Sequence, residues 1–82
     1  MPREIDYDAP EPPHRQIAAD IIAQIESGEL PPGRRVPSEK DIVDAYGVAR
    51  TTARRAVAAL RAGGWIVTVA GRGSYVAERG QR

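Results

Sequence analysis

The sequence contains no cysteine, and this absence removes two kinds of stabilisation that small proteins often use. Disulfide bonds are excluded, and so are zinc sites of the zinc-finger type, which need thiolate ligands. The fold of these 82 residues must therefore rest on packing alone, within one small domain. A chain without cysteine also suits a reducing cytosol, so the expected location is the cytoplasm.

Other features that would indicate a membrane protein or an enzyme are missing as well. No apolar run approaches the roughly 20 residues that span a bilayer, and the N-terminus is acidic and proline-rich, unlike a signal peptide. The only histidine is His14, so no metal site is expected. Ser38, Ser74 and Thr68 have no histidine or lysine arranged around them, which argues against catalysis. We expect neither a cofactor nor a catalytic residue.

Lysine is nearly absent, and the arginines are unevenly distributed along the chain. Residues 1–30 hold two arginines against seven acids, a net charge of −5, whereas residues 31–82 hold ten basic residues against four acids, a net charge of +6. From Arg50 to Arg72 there are five arginines and no acid. A GC-rich coding sequence would by itself also favour arginine over lysine. The asymmetry nevertheless points to an anionic partner for the second half.

The apolar pattern predicts three helices followed by a hairpin, an α+β fold that is mostly helical. Residues 1–12 are expected to form a disordered tail, because they are acidic and rich in proline. Isoleucines at helical spacing predict a helix over residues 13–27. Ser38, with Asp41 three residues later, predicts a capping box at the start of a second, short helix. A third helix is predicted over residues 49–62.

Residues 65–69 and 74–77 are rich in β-branched and aromatic side chains, which predicts two strands joined by a turn of about four residues. A lone hairpin is marginal in water, so it must pack on the helices. We therefore expect Trp65 and Leu60 to be buried between the third helix and the hairpin. The polar residues 78–82 are expected to be a tail or the start of a linker.

The third predicted helix separates into two faces. The apolar stripe consists of Ala53, Ala56, Val57 and Leu60. The opposite face carries Arg50, Thr51, Arg54, Arg55 and Arg61. Two helices joined by a short glycine turn, the second of them basic, are typical of a helix-turn-helix, whose second helix enters the DNA major groove.

The glycine-flanked Arg72 at the predicted hairpin tip adds to this interpretation, because backbone there can approach a ligand closely. Arginine can bond guanine through two donors, and threonine can bond a phosphate or contact a thymine methyl. For an arginine-rich helix taken alone, an ordinary solvated face remains the alternative. Stacking of Trp65 on a base, as in single-strand binders, is a second alternative to its role in the core.

Several segments resemble the DNA-binding domain of GntR-family transcriptional regulators. They are Gln16-Ile17-Ala18, residues 25–33, residues 35–40, residues 46–52, Gly64-Trp65-Ile66 and residues 71–76. The resemblance runs over residues 13–77 and implies a winged helix-turn-helix that binds operator DNA, most commonly as a repressor. Helix 49–62 would enter the major groove, and the wing at residues 70–73 would lie on the minor groove or the backbone.

Carried over by position, the resemblance implies a set of DNA-binding residues: Arg35, Lys40, Ala49, Arg50, Thr51, Thr52, Arg54 and Gly71. The argument from the hairpin tip adds Arg72 to this set. The sequence departs from the family at His14, usually tyrosine, at Ala49, where serine is common, at Ala53, often valine or leucine, and at Arg34, which makes a double arginine. These departures bear on sequence preference and stability rather than on the fold.

Members of this family generally carry a C-terminal effector-binding or dimerising domain. The chain is therefore expected to be either an excised domain or a small stand-alone regulator. The partner implied is double-stranded operator DNA, with two half-sites related as a (pseudo)palindrome. The free chain is expected to be a monomer that pairs on DNA or through a further domain, without membrane association. The alternative function is a winged-helix protein-interaction module that uses the acidic N-terminal segment or the first helix.

Overall fold

The computed structural model describes residues 4–78, so residues 1–3 of the predicted tail and 79–82 of the predicted linker lie outside the described residues. The elements are α1 (Pro13–Ser27), α2 (Glu39–Tyr46), α3 (Arg50–Ala62), β1 (Ile66–Val69) and β2 (Gly73–Val76). The strands are antiparallel, with Ile66 opposite Val76 and Val69 opposite Gly73. This order of three helices and a hairpin is the predicted one. Within residues 4–78, no helix is both long enough and apolar enough to cross a membrane.

The core lies where the apolar faces of the three helices meet the inner side of the hairpin. Its largest fully buried side chains are Ile17, Ile21, Ile42, Leu60 and Ile66. The stripe predicted on α3 is confirmed, because Ala53, Ala56, Val57 and Leu60 are all buried. α3 can lie close to α1 and α2 because its apolar stripe contains small alanines. Since this stripe faces the core, the basic face of α3 points outward.

The boundaries between helix, loop and strand differ from the prediction by one or two residues. α3 begins at Arg50 with Ala49 as its N-cap, and the hairpin turn is residues 70–72, three residues rather than about four. Leu60 is buried as predicted, but Trp65 is only partly buried at the edge of the core. A Cβ placed on Gly63 would lie 2.9 Å from Trp65 Cδ1, so the indole covers the end of α3 instead of entering the core.

α2 is bounded by two local signals that the sequence carries. The Asp41 amide donates to Ser38 Oγ at 3.1 Å, and the Ser38 amide donates to Asp41 Oδ2 at 3.0 Å, which forms the predicted capping box. Gly47 ends the helix at φ 68°, and its N–H donates to the Val43 carbonyl at 2.9 Å. This left-handed conformation suits glycine and reverses the chain toward α3.

The segment before α2 extends the hairpin at one edge. The Val36 amide donates to the Ser74 carbonyl at 3.0 Å, and the Val76 amide donates to the Arg34 carbonyl at 2.8 Å. Arg35 thereby faces Tyr75 in an antiparallel bridge. The residue before a proline favours extended backbone, and the segment before Pro37 accordingly forms a single bridge beside β2 that holds the base of the hairpin.

Residues at the N-terminal side of α1 are tied to that helix. The Gln16 side chain accepts from the Asp6 amide at 2.9 Å and donates to the carbonyls of Asp6 at 2.8 Å and Glu11 at 2.9 Å. Ile5 packs against the core. These bonds place residues 5–11 along α1, which their acidic, proline-rich composition did not predict.

Candidate nucleic-acid interface

A cleft lies between the start of α2, the exposed side of α3 and the hairpin. Its polar lining includes Arg35, Ser38, Glu39, Lys40, Arg50, Arg61, Thr68 and Ser74. Four of these side chains are basic, and Glu39 is the one acid among the described residues that line the cleft. The positive potential of such a cleft attracts an anionic partner. The structure thus brings Arg35, Lys40 and Arg50 together, although they lie on three different segments.

The start of α3 leaves its backbone donors without a side-chain cap. Ala49, the N-cap, makes no side-chain hydrogen bond, and the first turn contains no acidic residue. Arg50 and Thr51 are exposed and Thr52 is partly buried. Unpaired N–H groups at a helix start are well suited to bind a phosphate. This end of α3 therefore offers both backbone and side-chain donors to an anion.

Two of the predicted DNA-contacting side chains form ion pairs with acids of α2. Lys40 Nζ lies 3.3 Å from Asp44 Oδ2, and Arg54 Nε lies 4.0 Å from Glu39 Oε1. The two basic side chains are 76% and 64% exposed, so each pair contributes little to stability. A phosphate can replace either acid at small cost, because water already screens both pairs.

The hairpin tip presents Arg72 to solvent on a well-defined turn. The Arg72 amide donates to the Val69 carbonyl at 3.0 Å, and the Tyr75 hydroxyl donates to the Arg72 carbonyl at 3.4 Å. Gly71 is exposed and has φ 75°, a conformation that favours glycine. The backbone at the tip is thus held while the Arg72 side chain remains exposed.

The neighbouring residues Arg34 and Arg35 differ in their relation to the basic cleft. The guanidinium of Arg35 lies over Gly73, since a Cβ there would be 3.1 Å from Arg35 Nη2. Both arginines line a groove with Gln24 and Tyr46, between α1 and α2, but only Arg35 also lines the basic cleft. Because side chains alternate along an extended segment, the double arginine places only Arg35 at the basic cleft.

Arg61, Thr68 and Ser74 belong to this surface but were not among the predicted site residues. Arg61 Nη1 donates to Thr68 Oγ1 at 3.1 Å, and Thr68 Oγ1 lies 3.0 Å from Ser74 Oγ. Arg61 was recognised on the exposed face of the third helix. Its contact with Thr68 depends on how the hairpin folds back, which residue spacing alone does not reveal.

One carboxyl group beside the cleft has a shifted pKa. The hydrogen bond from the Ser38 backbone, followed by that with the Ser38 side chain, holds the pKa of Asp41 below its ordinary value. Desolvation opposes this lowering, and the charges of Lys40 and Arg35 add to it. Asp41 is therefore a structural cap whose charge is stabilised by the start of α2.

Within residues 4–78, no three His, Cys, Asp or Glu side chains lie close enough together to hold a metal ion. The single histidine, His14, lies partly buried on α1.

Three helices, a glycine turn, a basic third helix and a hairpin beside it define a winged helix-turn-helix, a fold of the DNA-binding class. The profile described as "Bacterial regulatory proteins, gntR family" matches residues 13–76. The chain belongs to the GntR family of bacterial regulators. This agrees with the resemblance noted from the sequence, and it assigns the chain to regulators rather than to enzymes.

Two curated relatives illustrate the similarity. The histidine utilization repressor of Pseudomonas putida is 41% identical over 71 residues, which covers 87% of this chain and 29% of the relative. The HTH-type transcriptional regulator Rv0792c of Mycobacterium tuberculosis is 42% identical over 67 residues, which covers 82% of this chain and 25% of the relative. The chain thus spans between a quarter and three tenths of the length of these two regulators.

Solved structures show the same fold. The DNA-binding domain of AraR in complex with operator ORX1 has a TM-score of 0.83 and 27% identity, covering 93% of this chain and 96% of that one. YtrA from Sulfolobus acidocaldarius, described as a GntR-family transcription factor, has a TM-score of 0.83 and 36% identity, covering 92% of this chain and 79% of that one. The chain therefore shares its fold with a DNA-binding domain that was solved in complex with operator DNA.

Proposed function

We propose that this chain binds double-stranded operator DNA sequence-specifically, as the DNA-binding domain of a transcriptional repressor. The observation that carries the proposal is the basic cleft together with the uncapped, acid-free start of α3. Its relatives are named repressors and regulators, and AraR was solved with operator DNA on this same fold. Since the target is chromosomal DNA, the expected location is the cytoplasm.

The roles follow from where each residue lies. α3 enters the major groove, where Arg50 and Arg54 can each bond a guanine and Thr51 can contact a base or a phosphate. Ala49 and Thr52 accompany them at the start of the helix. Phosphate contacts set the orientation of the protein on the duplex and carry no sequence information.

Arg35 and Lys40 reach the DNA backbone from beside the cleft. Gly71 allows the wing to approach closely, and Arg72 extends from it into the minor groove or onto a phosphate. The wing and the start of α2 thus grip the backbone on either side of the bases read by α3.

One copy of α3 reads only part of a typical operator, so we propose that two copies occupy a (pseudo)palindromic site. Helix-turn-helix dimers bind half-sites roughly 34–36 Å apart, or at another spacing set by their symmetry. The apolar stripes of the described helices are used within the core. We therefore expect a monomer in the absence of DNA, with tight binding only when two copies are held together and their effective concentration rises.

The test begins with duplexes selected on the protein from a pool of random sequences. A selected half-site and a two-half-site duplex are then titrated at two salt concentrations, and sedimentation gives the mass of the free chain. We expect sequence enrichment, a steep fall in affinity with salt and much tighter binding to the double site. No enrichment, or affinity that is indifferent to salt, would instead favour the protein-interaction module.

A further inference from the structure

One side chain of α3 reaches across to the hairpin. Arg61, in the last turn of the helix, donates from Nη1 to Thr68 Oγ1 at 3.1 Å. Thr68 and Ser74 are direct partners across the hairpin, and their hydroxyl oxygens lie 3.0 Å apart. A continuous chain of polar contacts therefore links α3 to both strands of the wing.

These contacts lie between the buried base of the hairpin and its turn. Below them, the buried Ile66 and Val76 fix the base of the hairpin in the core. Beyond them remain the pair Val69 and Gly73 and the turn that carries Arg72. A small rotation at Thr68 would be enlarged at the tip, so the contacts with Thr68 control where Arg72 lies.

A second arginine contacts the hairpin one residue further along β2. The guanidinium of Arg35 covers Gly73, the residue that follows Ser74 in β2. Arg35 is itself fixed by the bridge between its segment and β2. The wing thus contacts both Arg61 and Arg35, and Arg61 is the contact that comes from the recognition helix.

We propose that Arg61 is a positioning residue that sets the angle between the wing and α3 through Thr68 and Ser74. In this role it determines where Arg72 meets the DNA while α3 reads its bases. The proposal rests on the proposed function, because it assigns the wing to the same DNA site. It concerns the free protein too, since the hydrogen bonds are present without DNA.

The decisive variant is Thr68→Val, which removes the hydroxyl without changing charge and keeps a β-branched residue in the strand. Thr68→Ser retains the hydroxyl and serves as the rescue. The matched control is Val67→Thr, which makes the reverse exchange one residue away on the outer face, where Val67 is 36% exposed. Thermal unfolding of each variant checks that the fold is retained.

We expect Thr68→Val to raise the Kd for the two-half-site duplex by about three- to tenfold, the effect of losing one hydrogen bond. The slope of affinity against salt should remain that of the parent, because no charge is removed. In an Arg72→Ala background the same substitution should change the Kd by less than about twofold. Thr68→Ser and Val67→Thr should bind like the parent.

Two outcomes on DNA would overturn the proposal. An unchanged Kd for Thr68→Val, with a lower salt slope for Arg61→Met, would make Arg61 a phosphate ligand in its own right. An equal loss with and without Arg72 would mean that Thr68 acts independently of the wing.

A measurement without DNA separates this proposal from the proposed function. Amide ¹⁵N relaxation of Gly71 and Arg72 should report larger motion in Thr68→Val and Arg61→Met, but not in Val67→Thr. If the parent binds no duplex while these amides respond, the proposed function fails and the positioning role stands. If the amides of both variants behave like the parent, the positioning role is refuted whatever the affinity.

Discussion

The N-termini of α2 and α3 have similar backbone geometry but very different chemistry. Ser38 has φ −74° and ψ 170°, and Ala49 has φ −68° and ψ 155°, so both adopt the extended conformation of an N-cap. Ser38 closes a capping box with Asp41, and the first turn of α2 contains two acids. Ala49 caps nothing, and the first turn of α3 contains none.

The difference separates a helix start that stabilises the fold from one that is open to a ligand. At α2 the backbone donors are satisfied by the chain itself, and acids complement the helix dipole. At α3 the donors and the positive end of the dipole remain unneutralised, with Arg50 beside them. The chain gives up about 1 kcal/mol of capping energy at the second site, where an anion can supply the missing partner.

The largest effect should come from removing the cation at the start of α3. Arg50→Ala should weaken operator binding by about 1–3 kcal/mol and relax preference at one base position, because a bidentate contact to guanine is lost. The free energy of unfolding should not change, since Arg50 is exposed. Titration of the selected duplex and of single-base variants measures both effects.

Arg55 offers the matched control, because it is an exposed arginine on the same helix and outside the predicted site. Arg55→Ala should cost less affinity and leave base preference intact. Equal affinity for Arg50→Ala and the parent would contradict the assignment of Arg50.

Removal of the cap at the start of α2 should lower the stability of the protein, whereas Arg50→Ala lowers its affinity for DNA. Ser38→Ala should lower the free energy of unfolding by about 1 kcal/mol, because the Asp41 amide loses its acceptor. Denaturant unfolding measures this change. Ser27→Ala, at the C-terminal end of α1, is the comparison. It removes exposed hydroxyl hydrogen bonds with the Gln24 carbonyl and the Glu29 amide but no N-cap, and it should stay within about 0.5 kcal/mol of the parent. Equal stability of Ser38→Ala and the parent would mean that water satisfies this helix start equally well.

Local signals in the sequence predicted most of the fold, including the start of α2. The pattern Ser38 to Asp41 indicated the capping box, and isoleucine spacing indicated α1, because both depend on residues a turn apart. The resemblance supplied the candidate site, while alternation along an extended segment could have separated Arg34 from Arg35.

Contacts between distant segments were not predictable in this way. The bond from Arg61 to Thr68 needs the hairpin to fold back on α3, and the bonds of Gln16 need residues 5–11 to run along α1. Trp65 was expected to be buried because of its type and place in the sequence, yet its indole covers Gly63 at the end of α3. Such arrangements are set by tertiary packing, which a pattern along the chain does not encode.

A serine at position 49 would give α3 an N-cap side chain like the one that Ser38 gives α2. Ala49→Ser should raise the free energy of unfolding by about 1 kcal/mol, because the backbone at residue 49 already has N-cap geometry. A hydroxyl can accept from the helix and still donate to a phosphate, so affinity for DNA should be retained. Ala49→Val, whose side chain cannot accept a hydrogen bond and which is as poor an N-cap as alanine, is the control for stability. A stability gain accompanied by lost binding would show that the open donors themselves contact DNA.

The smallest effect is the pH dependence of the α2 cap. Hydrogen bonds with Ser38 lower the pKa of Asp41 in the folded state relative to the unfolded chain. Its contribution to stability is therefore fully present above the unfolded pKa of about 3.9. It is lost as the pH falls through that value toward the lower folded pKa.

Denaturant unfolding should show this dependence. The free energies of unfolding of the parent and Asp41→Asn should differ most near neutral pH, and the difference should narrow below about pH 4. In a Ser38→Ala background this narrowing should largely vanish, because the bonds that lower the pKa are weakened. A difference that is constant across this range in both backgrounds would show that the charge of Asp41 takes no part in capping α2.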